Sequence, residues 1–319
     1  LKKIKVGLIG VGHLGSIQAE KLHTFPEVEA LYLVDISEER LRKALERIES
    51  REEKPIIVEK NFRNILSEVD AVVVATPTST HYEIAREVLR SGKPLFLEKP
   101  MTANYDEALE LVEIAESKGI PFQVGYIERF QRAVKELLKR VQNPLFIEAH
   151  RLSSFVERNL DIDVVLDLMI HDLDLVFLLK KDGEIDFIHA VGAPVFTDKI
   201  DIVNVRIVFR DGTTCNLTAS RISQQRQRKF RVFERGVYYS VDTIEKSFLE
   251  IRPKPEKRDF VVEKKIFPED DPMREELSSF LKSVIEGKEV SPSGREALVS
   301  LKYALRIRDE VMRSILQKV

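Results

Sequence analysis

The sequence predicts an α/β protein, with an N-terminal doubly wound parallel sheet followed by a C-terminal α+β domain built on a mainly antiparallel open sheet. Three observations predict it. Strand and helix patterns alternate up to about residue 121, a glycine-rich turn follows the first strand directly, and beyond residue 180 the chain runs strand after strand with period-two alternation. At roughly 150 residues per domain, a chain of 319 residues suits about two domains. The expected division is 1–121 and 122–319.

Each element has its own justification. Lys3 to Ile9 reads as a buried strand, Leu14 to Leu22 as a helix, Ala30 to Val34 as a second strand, and Ser37 to Ile48 as a helix capped by Ser37. Asp70 to Ala75 is a short continuous apolar run, the pattern of a strand covered by helices on both faces. His81 to Ser91 is a helix stopped by Gly92, Leu95 to Glu98 a strand, Asn104 to Lys118 a helix ending at Gly119, and Pro121 to Gly125 a strand. Later, Val203, Val205, Ile207 and Phe209 alternate with Asn204, Arg206 and Val208, and Asp211-Gly212 turns the chain into Thr214 to Ser220. In that strand Cys215, Leu217 and Ala219 share one face, and Thr214, Asn216, Thr218 and Ser220 the other. Pro272 to Glu286 and Ser293 to Leu316, the latter capped by Ser293, close the chain as helices.

Composition narrows the function. Lys and Arg number 51 against 53 Asp and Glu, a formal charge of −2, so the chain lacks the cationic excess that neutralises phosphates of nucleic acid or of an acidic membrane. Neither partner is expected. Cys215, the single cysteine, excludes an internal disulfide and suits a reducing compartment, so the cytoplasm is the expected location. No cleavable leader is expected at the N-terminus, and no run approaches the ~18 apolar residues of a membrane span. The open sheet suggests a homodimer or homotetramer.

Gly10-Val11-Gly12-His13-Leu14-Gly15 follows the first strand and opens the first helix. Gly10 allows a tight turn, Gly12 lets a pyrophosphate approach the backbone, and Gly15 lets the helix pack closely on the strand. The unsatisfied N–H groups of the helix start, around His13 and Leu14, then aim at the phosphates. Asp35 ends the second strand about twenty residues after Gly15, where its carboxylate can accept from a ribose 2′-hydroxyl. A 2′-phosphate would meet like charge there, which favours NAD; Arg40 close by keeps NADP as the alternative. Thr76-Pro77-Thr78-Ser79-Thr80-His81 lies at the carboxyl end of the Asp70 to Ala75 strand, the edge where such sheets bind ligands, so Thr76, Pro77, Thr78 and His81 are candidate cofactor-lining residues. The competing reading is local: Thr80 caps the following helix and His81 sits in its first turn.

Glu98-Lys99-Pro100, Gly125-Tyr126-Ile127-Glu128-Arg129-Phe130 and Asp167-Leu168-Met169-Ile170-His171-Asp172, in this order behind a dinucleotide fingerprint, resemble the motifs of the glucose–fructose oxidoreductase/inositol dehydrogenase/MocA family. The resemblance spans nearly the whole chain. It implies an NAD-binding Rossmann domain joined to an α+β domain for substrate binding and oligomerisation, in an enzyme that moves hydride between a sugar or cyclitol hydroxyl and a nicotinamide. By position, Lys99 matches the family's active-site lysine, with Glu98 beside it at the cofactor and a bond to Pro100 that is commonly cis. Asp167 and His171 match the family's acid and histidine.

The residues also make chemical sense by themselves. Positions 167 and 171 are i and i+4, so on a helix they share a face. Oxidising a secondary alcohol removes the hydroxyl proton while hydride leaves the carbon. His171, with an ordinary pKa near ~6.5, is a suitable base. Lys99 would stabilise negative charge developing on the alcohol oxygen, and Asp167 would bind or orient the substrate. The reverse assignment, Lys99 as base and His171 as donor, stays open, as does a His171 merely packed beneath a helix. The pair His171-Asp172 also occurs in metal-dependent phosphohydrolases; the other histidines, His13, His23, His81, His150 and His189, are scattered through unrelated elements, and no metal is expected.

Ile147 to Leu152, continuing to Arg158 and through Asp163 to Asp172, looks most like the branch of the family that oxidises C3 of UDP-N-acetylglucosamine ahead of amination for diamino-sugar lipid A. Many members carry glycines before the aspartate, whereas this chain reads Leu160-Asp161-Ile162-Asp163-Val164-Val165-Leu166-Asp167, a departure that sets it apart from common monosaccharide and inositol specificity. A nucleotide sugar brings two phosphates, and Arg129, Arg151 and Arg158 would supply forked donors for them. The run Gln224 to Arg231 is another candidate anion site, or else a solvated strand edge protected by positive charge. Tyr126 lies beside substrate or nicotinamide, or is a packed tyrosine. Three further functions fit the resemblance: a dehydrogenase of another sugar or inositol, a non-catalytic dinucleotide sensor, and a glycosidase that oxidises C3 transiently and returns the hydride.

Overall fold

The structure, a computed structural model, describes residues 2–48, 54–156, 160–181, 183–254 and 259–317. The chain divides into two compact units, 1–125 with 273–298, and 126–272 with 299–319.

In the first unit β1 (Ile4–Ile9), α1 (His13–His23), β2 (Val28–Val34), α2 (Glu38–Arg47), β3 (Ile56–Glu59), β4 (Ala71–Val74), α3 (His81–Arg90), β5 (Leu95–Glu98), α4 (Tyr105–Ser117) and β6 (Phe122–Gly125) alternate along the chain. All six strands are parallel, in the order β3-β2-β1-β4-β5-β6. The order reverses between β1 and β4, and a doubly wound sheet takes its ligand at the carboxyl ends of the strands flanking that reversal. Every residue of β4 is fully buried, which is why its sequence is continuously apolar rather than alternating. Ser37 caps α2 by accepting from the Arg40 amide, as its sequence suggests. The pattern predicts no strand at 56–59. β3 nonetheless forms there as a four-residue edge beside β2, half exposed at Ile57 and Val58 and therefore without a strong apolar signature.

The second unit opens with a short 3-10 turn, Ile127–Phe130. It continues through α5 (Arg132–Arg140), β7 (Phe146–Leu152), a π-helical turn (Val165–Met169) that leads into α6 (Ile170–Leu179), β8 (Ile185–Ala193), β9 (Ile202–Phe209), β10 (Thr214–Ser220), β11 (Gln227–Glu234), β12 (Val237–Asp242), β13 (Ser247–Lys254) and β14 (Asp259–Ile266). The eight strands form one sheet in the order β14-β13-β12-β11-β7-β10-β9-β8, antiparallel except where β7 and β10 pair parallel. Period two sets its inner face, on which Ile147, Ala149 and Arg151 of β7 are buried beside Cys215, Leu217 and Ala219 of β10. Gly212, at φ 88°, supplies the left-handed position of the turn between β9 and β10. One expectation is corrected: from Gln227 on, the run Gln224 to Arg231 is no strand edge, because β11 lies inside the sheet between β7 and β12, while Gln224, Gln225 and Arg226 precede it and are exposed.

The last two helices are α7 (Pro272–Glu286) and α8 (Gly294–Leu316). Leu277, Phe280 and Leu281 of α7 join the first unit's core with Leu8, Leu22, Leu33 and Val73, and Phe280 meets Phe96 edge-on at 5.8 Å between ring centroids. Ser293 and Glu296 form a reciprocal capping box at the start of α8, Ser293 Oγ accepting from the Glu296 amide and the Glu296 carboxylate from the Ser293 amide.

Candidate functional site

In the first unit the glycine-rich turn is built from backbone. Gly10 holds φ 90° and donates its amide to the Val34 carbonyl at 2.7 Å. A Cβ on Gly15 would stand 1.9 Å from the Gly10 carbonyl oxygen, whereas one on Gly12 would meet nothing within 4 Å. Those two facts separate the roles: Gly15 is required for close helix packing, and Gly12 leaves the approach to the helix N-terminus open. A cavity of about 320 Å³ is lined by Val11, Gly12, His13, Ser16, Arg40, Lys43 and Arg47. Leu14 takes its place in the first turn of α1 beside His13. A shaped turn, open backbone N–H groups and a cationic flank suit the phosphates of a dinucleotide.

Asp35, at the carboxyl end of β2, is buried and accepts from the Val11 amide at 3.0 Å and the Ser37 amide at 2.9 Å, with Arg40 Nη1 3.5 Å away. The carboxylate is thus fixed against the glycine turn. A Cβ on Gly10 would lie 2.7 Å from Thr76 Cγ2, so the loops after β1 and β4 are in contact at the topological reversal. Pro77 and the buried Thr78 continue that loop. The expected capping of α3 by Thr80 does not form; its hydroxyl instead lies 2.8 Å from both Thr76 Oγ1 and the Pro77 carbonyl, which holds the loop closed on itself. His81 is buried, with Nδ1 2.9 Å from the Pro100 carbonyl and Nε2 2.9 Å from the Thr76 carbonyl. Its ring ties the Thr76 loop to the Lys99-Pro100 turn, whose peptide bond is cis.

Glu98 ends β5, and Gln18 of α1 donates to it at 2.6 Å. A Cβ on Gly125 would come within 2.8 Å of the Glu98 carboxylate, so the glycine makes room for it. Burial pushes the Glu98 carboxyl up to about 7, although the Lys99 charge and the Gln18 amide pull it down. Gln18 carries no local sequence signal for this role; the structure shows its amide fully buried on α1, where an apolar residue would be expected.

In the second unit the predicted residues gather at the start of α6. Asp163 accepts from the Val165 and Leu166 amides and so caps the π-helical turn that carries Asp167. That turn is wider than the α-helix assumed for the i, i+4 pair, and α6 proper begins only at Ile170. His171 is buried, and Tyr126 stands edge-on to it with ring centroids 6.3 Å apart. Tyr126 is itself buried, which raises its phenol well above the ordinary range, with Arg129 stacked over its ring at 5.9 Å. It is a packed tyrosine next to the histidine.

Two of the arginines expected on phosphate are committed elsewhere. Arg151 gives Nε and Nη2 to Asp172 at 3.1 and 2.8 Å and Nη1 to Glu128 at 2.7 Å, all three side chains being buried. Arg129 forks onto the buried Asp174 at 2.7 and 2.6 Å. Their donors hold the strand β7 and the turn 127–130 to α6, the chain neighbours of His171. Arg158 lies outside the described residues. The acids that take up these guanidinium groups were invisible to local sequence reasoning, because each pair is separated by more than twenty positions.

Together these features define a dinucleotide-binding protein whose second unit presents a histidine and a carboxylate at a helix start. Comparison with known proteins makes the class specific. Residues 4–126 match the model of an oxidoreductase family with an NAD-binding Rossmann fold. The chain is 36% identical to the UDP-N-acetylglucosamine 3-dehydrogenase of Acidithiobacillus ferrooxidans over 75% of its own length and 74% of that protein's. It is 25% identical to the myo-inositol 2-dehydrogenase of Thermotoga maritima over 98% of both. Among solved structures, the Acidithiobacillus enzyme superposes with a TM-score of 0.86 at 31% identity, covering 98% of each chain. The scyllo-inositol dehydrogenase of Lactobacillus casei, with bound NAD(H) and scyllo-inositol, shares the fold at a TM-score of 0.80 and 18% identity. The chain belongs to the glucose–fructose oxidoreductase/inositol dehydrogenase/MocA family and is an NAD-binding oxidoreductase.

Proposed function

We propose that this enzyme is an NAD-dependent dehydrogenase that oxidises the C3 hydroxyl of UDP-N-acetylglucosamine, with the first unit holding the cofactor and the second the sugar. The observation that carries the reading is the 36% identity, across three quarters of both chains, to an enzyme named for that reaction. Preference for NAD over NADP rests on Asp35, a fixed carboxylate that suits a ribose hydroxyl and repels a 2′-phosphate.

A nicotinamide bound at the glycine-rich turn would supply the acceptor for the hydride of the sugar carbon. The protein's own groups do the rest. His171 takes the hydroxyl proton as general base; its buried setting limits competition from water. Lys99 supplies positive charge for the oxygen as the proton leaves. Asp167 orients the sugar hydroxyls. His81 acts one step removed, fixing the peptide that carries Lys99 through the Pro100 carbonyl. The Arg151–Asp172–Glu128 network holds the start of α6, so the imidazole of His171 is presented from a rigid element.

The test is the appearance of the reduced-nicotinamide absorbance with NAD when UDP-N-acetylglucosamine, myo-inositol and simple hexoses are supplied separately. Reduction with the UDP-sugar alone is expected. Reduction with inositol or a free hexose in its place would overturn the substrate assignment, and tight NAD binding with no reduction by any of them would make the protein a sensor.

A further inference from the structure

Arg228 stands directly opposite Arg151 across the β11–β7 pair, so their side chains leave the sheet on the same face. That is the inner face, where Phe230 and Val232 of β11 and Ile147 and Ala149 of β7 are buried. A second arginine beside a buried one would ordinarily share its carboxylates. Here each of those oxygens already has a donor: both oxygens of Asp172 accept from Arg151, one oxygen of Glu128 accepts from Arg151, and the other accepts from Gln131 Nε2 at 2.7 Å. Among the described residues the Arg228 side chain makes no hydrogen bond and no close ion pair, although the Glu128 and Asp172 charges act on it from further off. A partly buried guanidinium has five donors and no way to shed its proton, and leaving it unpaired beside another cation is costly.

We infer that Arg228 is the anchor for an oxyanion of the substrate, which on the function proposed above is the diphosphate of the nucleotide sugar. A bidentate phosphate contact returns the acceptors that Arg228 lacks and offsets its repulsion with Arg151. Burial and the nearby Arg151 charge lower the Arg228 pKa, and the Glu128 and Asp172 charges only partly oppose them, so an added anion would favour the charged form. The assignment moves the phosphate role from Arg151, which is consumed in holding α6, to its cross-strand neighbour. It also gives a function to the cationic run at the start of β11.

The inference is tested with Arg228→Gln and Arg228→Met, kept saturated with NADH so that the glycine-rich turn is occupied, using inorganic pyrophosphate as the probe. Pyrophosphate is expected to raise the melting temperature of the parent enzyme and to bind either variant at least about tenfold more weakly. Without ligand the variants should melt at or above the parent temperature, because an unpaired charge has been removed. KM for UDP-N-acetylglucosamine should rise by a similar factor while KM for NAD stays unchanged. Equal pyrophosphate binding by parent and variants, or a variant that melts lower without ligand, would overturn the inference. The pyrophosphate result stands whether or not the UDP-sugar is oxidised, so failure of the substrate assignment is read separately.

Discussion

The two units build their candidate sites from different materials. In the first, the place proposed for the cofactor is a property of the backbone: a left-handed Gly10, a Gly15 with no room for a methyl group, and strand ends brought together at the sheet's reversal. In the second, the start of α6, which carries His171, is tied down by buried charge pairs between side chains far apart in sequence, Arg151 with Asp172 and Glu128, and Arg129 with Asp174. The difference locates the sensitivity of each. On the function proposed above, changing Asp35 in the first unit is expected to alter which cofactor is bound, whereas changing Arg151 or His171 in the second is expected to alter the fold or turnover.

The sharpest way to probe that contrast is His171→Ala, expected to lower kcat by ~10² to ~10⁴ with NAD affinity unchanged. Steady-state kinetics with cofactor titration separates the two effects, and near-normal turnover would transfer the base role to Lys99. Next is Arg151→Met, which strands two buried carboxylates and should cost about 3–5 kcal/mol of stability, measured by urea denaturation. A loss below about 1 kcal/mol would show that this network is not what holds α6. In the first unit, Asp35→Ala should weaken NAD binding by about tenfold and reduce the discrimination against NADP, with the fold intact; unchanged selectivity would remove Asp35 from the ribose site.

A further effect is one of pH. An unfolded Glu98 ionises near 4.5, while the folded one is raised to about 7 by burial. Between those values the folded state keeps a proton that the unfolded state has released, so this group's contribution favours folding below the unfolded pKa and is lost as pH rises through the folded one. Glu98→Gln should therefore gain stability relative to the parent on going from about pH 5 to about pH 8. Parallel stability curves would contradict the shift.

How much of this was legible in the sequence follows from the same contrast. The first unit was readable because its determinants are local: apolar runs such as 71–74, caps such as Ser37, and glycines at fixed offsets from a strand end. Its least legible parts were β3, a half-exposed edge, and residues 273–298, whose membership of that unit depends on Phe280 finding Phe96 far back in the chain. In the second unit the alternation of β9 and β10 was plain, yet Arg151 and Arg129 read as free phosphate ligands. Nothing local reveals that Asp172, Glu128 and Asp174 engage them. The π-helical turn at Asp167 was equally hidden, since its cap, Asp163, is one of several acids in that stretch.

The central claim is that hydride leaves C3 of a UDP-sugar for the nicotinamide while a histidine takes the hydroxyl proton. UDP-N-acetylglucosamine deuterated at C3, incubated with NAD, tests it most directly by mass analysis of the reduced cofactor. Deuterium on the nicotinamide, formed in step with a 3-keto sugar, is the expected result; reduced cofactor carrying only hydrogen, or none formed at all, would contradict it.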